Sequence, residues 1–180
     1  MKSQQLYSIL REHLAPVFKA NGFKRSKTML SWVRPRGELY VGVWCQADQR
    51  GWDTYAGSKF VMEFQLGRQP VIGANTICRQ RIGGMLSTAE REEIRAVQNN
   101  VISSLHRPPK SHALLNVCEE VSTVYLKKFK SIDHPYSERD DIWFRYASKE
   151  DVDRWARFLV TRLPDCLRQV EMWNDQTPSY

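Results

Sequence analysis

Residues 38–47, ELYVGVWCQA, and 59–67, KFVMEFQLG, decide the fold. In the first, Leu39, Val41, Val43 and Cys45 alternate with Tyr40, Gly42, Trp44 and Gln46. In the second, Phe60, Met62, Phe64 and Leu66 alternate with Val61, Glu63 and Gln65. A strand turns successive side chains to opposite faces, so strict alternation sets one face on a core and leaves the other at least partly polar. Pro35-Arg36-Gly37 supplies a tight turn ahead of the first strand, and a glycine-containing loop, Asp48 to Gly57, joins it to the second. With a strand over 28–34 these stretches make an antiparallel meander. Thr76 to Arg81 is a further short strand.

Helical periods flank the meander. Leu6, Ile9, Leu10, Leu14, Val17 and Phe18 predict an amphipathic helix over 4–20. Pro16 should kink it near Glu12, and Asn21-Gly22 should end it. Downstream, Ser87-Thr88-Ala89-Glu90 is a capping box opening a helix with Ile94, Val97, Val101 and Leu105 on one face, stopped by Arg107-Pro108-Pro109. A helix over 112–128 follows, with Leu114, Val117, Cys118, Val121, Val124 and Tyr125 as its apolar face. The loop KSIDHPYSERDD leads to a strand, Ile142 to Tyr146. Ser148 to Asp151 is a second capping box, with Val152, Trp155, Ala156, Leu159 and Leu163 inward. Pro164 is expected to end that helix before a short one carrying Cys166, Leu167 and Val170. The order gives an α+β fold: an antiparallel sheet of about four or five strands with helices mainly on one face.

At 180 residues and 42% hydrophobic, the chain suits one domain over 1–180, a helix and meander in 1–86 and a helical half with one strand in 87–180. The N-terminal stretch has no apolar signal-like run, and apolar runs such as LYVGVWC are far shorter than the ~18 residues of a membrane span. A cytoplasmic protein with no membrane partner is expected. Cys45, Cys78, Cys118 and Cys166 lie far apart without metal-ligand spacing, so four free thiols are expected. Residues 1–82 hold 13 Lys and Arg against 5 Asp and Glu, a net +8; residues 83–180 hold 14 against 15, a net −1. A one-sided positive field favours an acidic partner.

Three spans, Pro16 to Arg25 (PVFKANGFKR), Leu39 to Gln46 and Phe60 to Gly67, resemble a bacterial family known as domain of unknown function 4304. CRQRIGGML, residues 78–86, is similar to a basic-Ile-Gly element that follows in such proteins. The resemblance covers roughly the first half. It implies a small α+β domain of bacterial cytoplasm and supplies no catalytic residues.

Two surfaces are candidates for function. If Met29, Leu39, Val41, Val43, Phe60, Met62, Phe64 and Leu66 face the core, then Trp32, Arg34, Tyr40, Trp44, Gln46, Glu63 and Gln65 face away from it, with Gly42 leaving a dip among them. Rigid rings separated by polar groups suit recognition of a peptide or a base. Alternatively, residues 68–86 or the C-terminal helix cover this face and make it a second core. The other surface is the basic stretch Lys24, Arg25, Lys27, Arg34 and Arg36, interleaved with Trp32 and Tyr40. Cations and flat rings are what single-stranded nucleic acid needs. Cations at turns and edge strands are also an ordinary guard against aggregation.

Other constellations carry less. Cys78 sits beside Arg79 and Arg81, which could lower its pKa, but no histidine is assigned to it. Cys45 falls on the core face. His13 lies on the inner side of the first helix, while His106, His112 and His134 belong to loops. No metal spacing appears among them. Asp140-Asp141 and Asp151/Asp153 fit a strand entry and a helix first turn. Gly83-Gly84 could form a phosphate nest but lacks the rest of a P-loop, so a linker is the simpler assignment.

The expectation is a non-catalytic binding protein with Trp32, Tyr40 and Trp44 as anchors, Arg34, Gln46 and Gln65 as polar contacts, and a protein or peptide as ligand. Neutralising a partner, as immunity proteins do, is one role by analogy. The alternatives are nucleic-acid binding through the basic stretch and an enzyme with a site near Cys78 and Arg81. No cofactor or metal is expected, and the oligomeric state is left open.

Overall fold

The computed structural model describes residues 1, 3–27, 30–129 and 142–173. In chain order its elements are α1 (Ser3–Ala20), β1 (Lys24–Arg25), β2 (Leu30–Arg36), β3 (Leu39–Ala47), β4 (Ser58–Gly67), β5 (Thr76–Arg81), α2 (Thr88–Ser103), α3 (Glu119–Leu126), β6 (Phe144–Tyr146) and α4 (Lys149–Glu171). Short 3-10 turns occupy Ile82–Met85, Ala113–Leu115 and Lys127–Phe129. The fold is α+β with an antiparallel sheet, as the periodicities require.

The two alternating stretches form the centre of the sheet. Val41 stands opposite Leu66, Val43 opposite Phe64 and Cys45 opposite Met62. Opposed residues share a face, so these six line one side of the sheet, and all are buried. The strands run β1-β2-β3-β4-β5, and β6 lies along the Ser58–Phe60 end of β4, making a six-stranded sheet. Gly37, at φ +59°, begins the two-residue loop that turns Arg36 back onto Leu39.

α1 and α4 lie on the core face. α1 buries Leu6, Leu10, Leu14 and Phe18 one helical turn apart. α4 buries Val152, Trp155, Ala156, Leu159, Leu163, Cys166, Leu167 and Val170. His13 Nε2 and Asp153 Oδ1, 2.7 Å apart, join the two helices, which explains why a half-buried histidine sits on the inner side of α1. The core cluster draws on both halves of the chain.

Pro16 and Pro164 do not interrupt their helices: α1 and α4 run unbroken through them. Both prolines are exposed. Their lost hydrogen bonds therefore fall on the solvent side, where the freed carbonyls of Glu12 and Val160 can turn to water. The expected short helix after Pro164 is thus the last two turns of α4. Both capping boxes form, Ser87 with Glu90 and Ser148 with Asp151. The expected helix over 112–128 does not form as one piece. Asn116 Nδ2 donates to the carbonyls of Lys110 and His112, 2.9 Å each, and closes a separate turn. Cys118 then starts α3 afresh. Of the expected apolar face, Tyr125 alone is fully buried, while Leu114, Val117, Cys118 and Val124 are exposed. Met29, Asp140, Asp141 and the loop 130–141 lie outside the described residues. No helix among the described residues is long and apolar enough to cross a membrane.

Candidate functional site

The outer face of the sheet is built by the second residue set of each strand. Ser31, Trp44, Glu63 and Arg81 form one row across β2–β5, and Val33, Gly42, Gln65 and Arg79 form the next. Gln46 and Tyr40 belong to the same set on β3 and stay half-buried.

Two expected members are elsewhere. Trp32 pairs with Val43 and so points to the helices, where it stacks on Phe18 with ring centroids 4.3 Å apart. It is a core residue, 2% exposed. The cause is register: with apolar residues at both parities of β2, pairing selects Leu30 and Trp32 for the core by setting them against Cys45 and Val43. Arg34, opposite Val41, shares that face. Its guanidinium donates to the Asn21 carbonyl at 3.0 Å and pairs with Glu171. Arg36 donates to the Val170 and Glu171 carbonyls, at 3.4 and 2.6 Å, and to the Glu171 carboxylate. Two of the five basic residues of the expected phosphate grip are therefore clasps on helix C-termini, where exposed carbonyls and the helix dipole favour a cation. Lys24 and Lys27 remain exposed, and the Arg25 guanidinium lies 5.9 Å from the Trp32 ring centroid.

Part of the outer face is closed by the chain itself. Gln65 Nε2 donates to the Val71 carbonyl at 2.9 Å, and the Gly73 N–H donates to Gln65 Oε1 at 2.8 Å. This holds residues 71–73 over the sheet and places Ile72 where a Cβ on Gly42 would stand, 2.7 Å from it. Ile72 fills the expected dip, and Gln65 is a loop anchor with 1% exposure.

The remainder is a cluster of cations laid on indoles around one buried acid. Glu63, 1% exposed, accepts from Arg79 Nε at 2.6 Å and from Arg81 Nε at 3.2 Å. The Arg79 guanidinium lies 4.9 Å from the Trp44 ring centroid, and that of Arg81 lies 5.3 Å from the Trp143 ring. Lys59 Nζ is 4.9 Å from the Trp143 ring. Ion pair and ring attraction act together, so the cations are held without being buried. The side chains of Arg79 and Arg81 keep 45% and 40% of their surface exposed. Beside Trp143, Gln46, Gln49, Arg50 and Lys59 border a cleft of about 280 Å³.

Lys59, Arg79 and Trp143 were absent from the expected binding set. Lys59 shares the parity of Val61 and Glu63, Arg79 that of Arg81, and Trp143 that of Arg145, whose partner is Lys59. Extending the alternation through β5 and β6 would have found them.

The thiols have no such setting. Cys78 faces the core opposite Leu66, and the sheet separates its side chain from those of Arg79 and Arg81. Burial raises its pKa, outweighing a hydrogen bond from the Arg79 backbone, which contradicts the expected activation. Burial also pushes Cys45 upward and takes Cys166 to about 12. Gly83 and Gly84 belong to a 3-10 turn packed on Ile142 and Gln80. Asp151 serves its capping box, and Asp153 pairs with His13 and Arg157. Among the described residues no group of His, Cys, Asp and Glu could hold a metal ion.

Compared with protein-family models, curated proteins and solved structures, the chain matches none.

Proposed function

We propose that this chain is a non-catalytic binding protein that holds a protein or peptide against the outer face of its sheet. One observation carries the reading: Arg79 and Arg81 are positioned by a buried carboxylate and two indoles, yet stay substantially exposed. Side chains ordered beforehand lose less freedom when a partner arrives, and Trp and Arg are the residues that most often anchor interfaces. Gln46 extends the surface beside Trp44, while Tyr40 lies beyond the row that Ile72 closes. A thiol enzyme at Cys78 is weakened by the placement of Cys78 and Arg81 on opposite faces. Nucleic-acid binding through residues 24–36 is weakened by the engagement of Arg34 and Arg36 with helix ends.

The test is fluorescence anisotropy at physiological salt with labelled peptide pools and oligonucleotides. Peptide binding that drops in Trp143→Ala, with oligonucleotides silent, is expected. Oligonucleotide binding that falls steeply with salt and is lost in Lys24→Glu/Lys27→Glu would transfer the function to the basic stretch.

A further inference from the structure

α3 carries apolar side chains that stay open to solvent. Val121 and Val124 stand one turn apart on one side of the helix, and with Leu114 and Tyr125 they line a groove of about 470 Å³. Val124 is 63% exposed, as is Val117 one residue ahead of the Cys118 cap, and Leu114 is 40% exposed. Lone apolar residues are ordinary on a surface, but a row of them along one groove marks a place where something docks. The groove's polar lining is Arg50, Glu120 and Lys128.

The charges at this groove are ordered. Residues 119–128, EEVSTVYLKK, open on two acids and close on two lysines. Glu120 lies four residues before Val124 and Lys128 four after it, so both share its side of the helix, about 6 Å along the axis in either direction. Their common place in the groove lining agrees. Among the described residues neither makes an ion pair. Glu120 accepts from its own N–H and from the Cys118 thiol, which lower its pKa, and Lys128 Nζ lies 6.0 Å from the Tyr125 ring centroid. Arg50 is already engaged, its Nε and Nη2 donating to Asp48 at 3.2 and 3.0 Å. A ligand of one charge sign would therefore meet a like charge at one end of the groove. A second α3 laid antiparallel meets opposite charges at both ends, because a twofold interface presents the same patch to itself. We propose that the chain forms a twofold dimer through antiparallel α3 helices, with the two Val124 side chains at the axis and Glu120 of each copy against Lys128 of the other. A patch built on one eight-residue helix falls below the roughly 800 Å² per partner of a standard interface, so the dimer is weak and set by concentration. The inference does not rest on the peptide reading; among the described residues Arg50 alone borders both this groove and the cleft beside Trp143.

Sedimentation equilibrium of the full chain between about 5 and 500 μM, at about 0.05 M salt where exposed pairs are little screened, measures the dimer. The mass is expected to rise from monomer towards dimer across that range, and Val124→Asp to weaken association by about tenfold. Glu120→Lys and Lys128→Glu should each weaken it by about tenfold, since each sets like charges together at both ends. An equimolar mixture of those two variants should associate nearly as the parent does, because the mixed dimer again opposes unlike charges at both ends. Val124 and Glu120 are exposed and Lys128 is half-buried, and melting curves matching the parent's confirm that the variants fold. A parent that stays monomeric throughout, or whose mass climbs past the dimer, overturns the proposal. So does association indifferent to Val124→Asp or to the charge variants, or a loss in those variants that mixing does not rescue.

Discussion

Tyr125 shows how one side chain can join distant segments and set a pH limit on their union. Its hydroxyl donates to Asp53 Oδ2 at 3.2 Å, its ring stacks on His112 at 5.0 Å, and it packs with Phe129 and Ala56 in a small cluster apart from the main core. Burial, then the negative charge of Asp53, pushes its pKa up to about 12. The unfolded chain has an ordinary tyrosine near 10. Below about pH 10 both states keep the proton and the contribution is complete; between 10 and 12 the unfolded state loses its proton first and stability falls. Tyr125→Phe removes the hydroxyl and is expected to cost about 0.5–1.5 kcal/mol at neutral pH. Its thermal midpoint should also decline less than the parent's between pH 10 and 12. Parallel melts of the two proteins across that range check this, and identical alkaline slopes would sink the assignment. Asp53 in turn accepts from the backbone N–H groups of Tyr55 and Ala56. That loop ends at Gly57, at φ +61°, where a Cβ would stand 2.5 Å from the Tyr146 carbonyl oxygen, so only glycine lets β4 begin beside β6.

Among the elements, α2 depends most visibly on its first turn. Ser87 accepts from the Glu90 N–H, and the Glu90 carboxylate accepts from the Ser87 N–H at 2.8 Å and pairs with Arg162 of α4 at 2.9 Å. The hydrogen bonds from Ser87, side chain first and then backbone, lower the Glu90 pKa. The linked stability is present above the unfolded value near 4.3 and is lost as pH falls through the lower folded value. Ser87→Ala is expected to cost about 1 kcal/mol at pH 7 and progressively less under acid. Urea titrations at pH 7 and pH 3 measure both, and a cost that does not shrink with acid would detach Glu90 from the box. Such boxes were legible in the sequence because four adjacent residues define them. The faces of β3 and β4 were legible because their alternation has one parity. β2 was not: Leu30 and Trp32 compete with Val33, and only pairing with Cys45 and Val43 settles which side is buried. The prolines of α1 and α4 misled for a similar reason. Whether a proline ends a helix depends on whether its displaced carbonyl meets water, which tertiary packing decides. The cation–indole cluster was only half visible, since its β3 and β4 members alternate openly while Trp143 arrives from the residue just ahead of β6, some 80 residues further along the sequence than Glu63.

Across the whole molecule, the excess of positive charge in the first half is spent partly on holding the second half in place. Arg34 reaches the end of α1, Arg36 reaches the end of α4, and both meet Glu171. β2 and β3 are thereby tied to the last turn of a helix more than 130 residues away, beyond the apolar contacts that α4 makes along its length. A cation at a partly buried helix C-terminus contributes up to about 2 kcal/mol, and Arg36 also serves the Glu171 carbonyl and the Val170 carbonyl, the latter shared with the Trp173 N–H. Arg36→Met keeps most of the aliphatic stem while removing every donor, so its effect isolates the clasp from packing. Its loss is expected to cost about 1–2 kcal/mol and to act locally first. Amide exchange should accelerate across residues 168–173, while amides of β3 and β4, which open only with the whole molecule, should slow-exchange as before until global stability is approached. Exchange mass spectrometry on the parent and the variant reads both regions in one experiment. Raising salt should reproduce the change weakly in the parent, because the Glu171 pairs are partly exposed and screened. Uniform acceleration across sheet and helix would mean that the clasp is part of the global folding unit. No acceleration at residues 168–173 would return Arg36 to the pool of cations available for a phosphate backbone, and with it the nucleic-acid reading of the basic stretch.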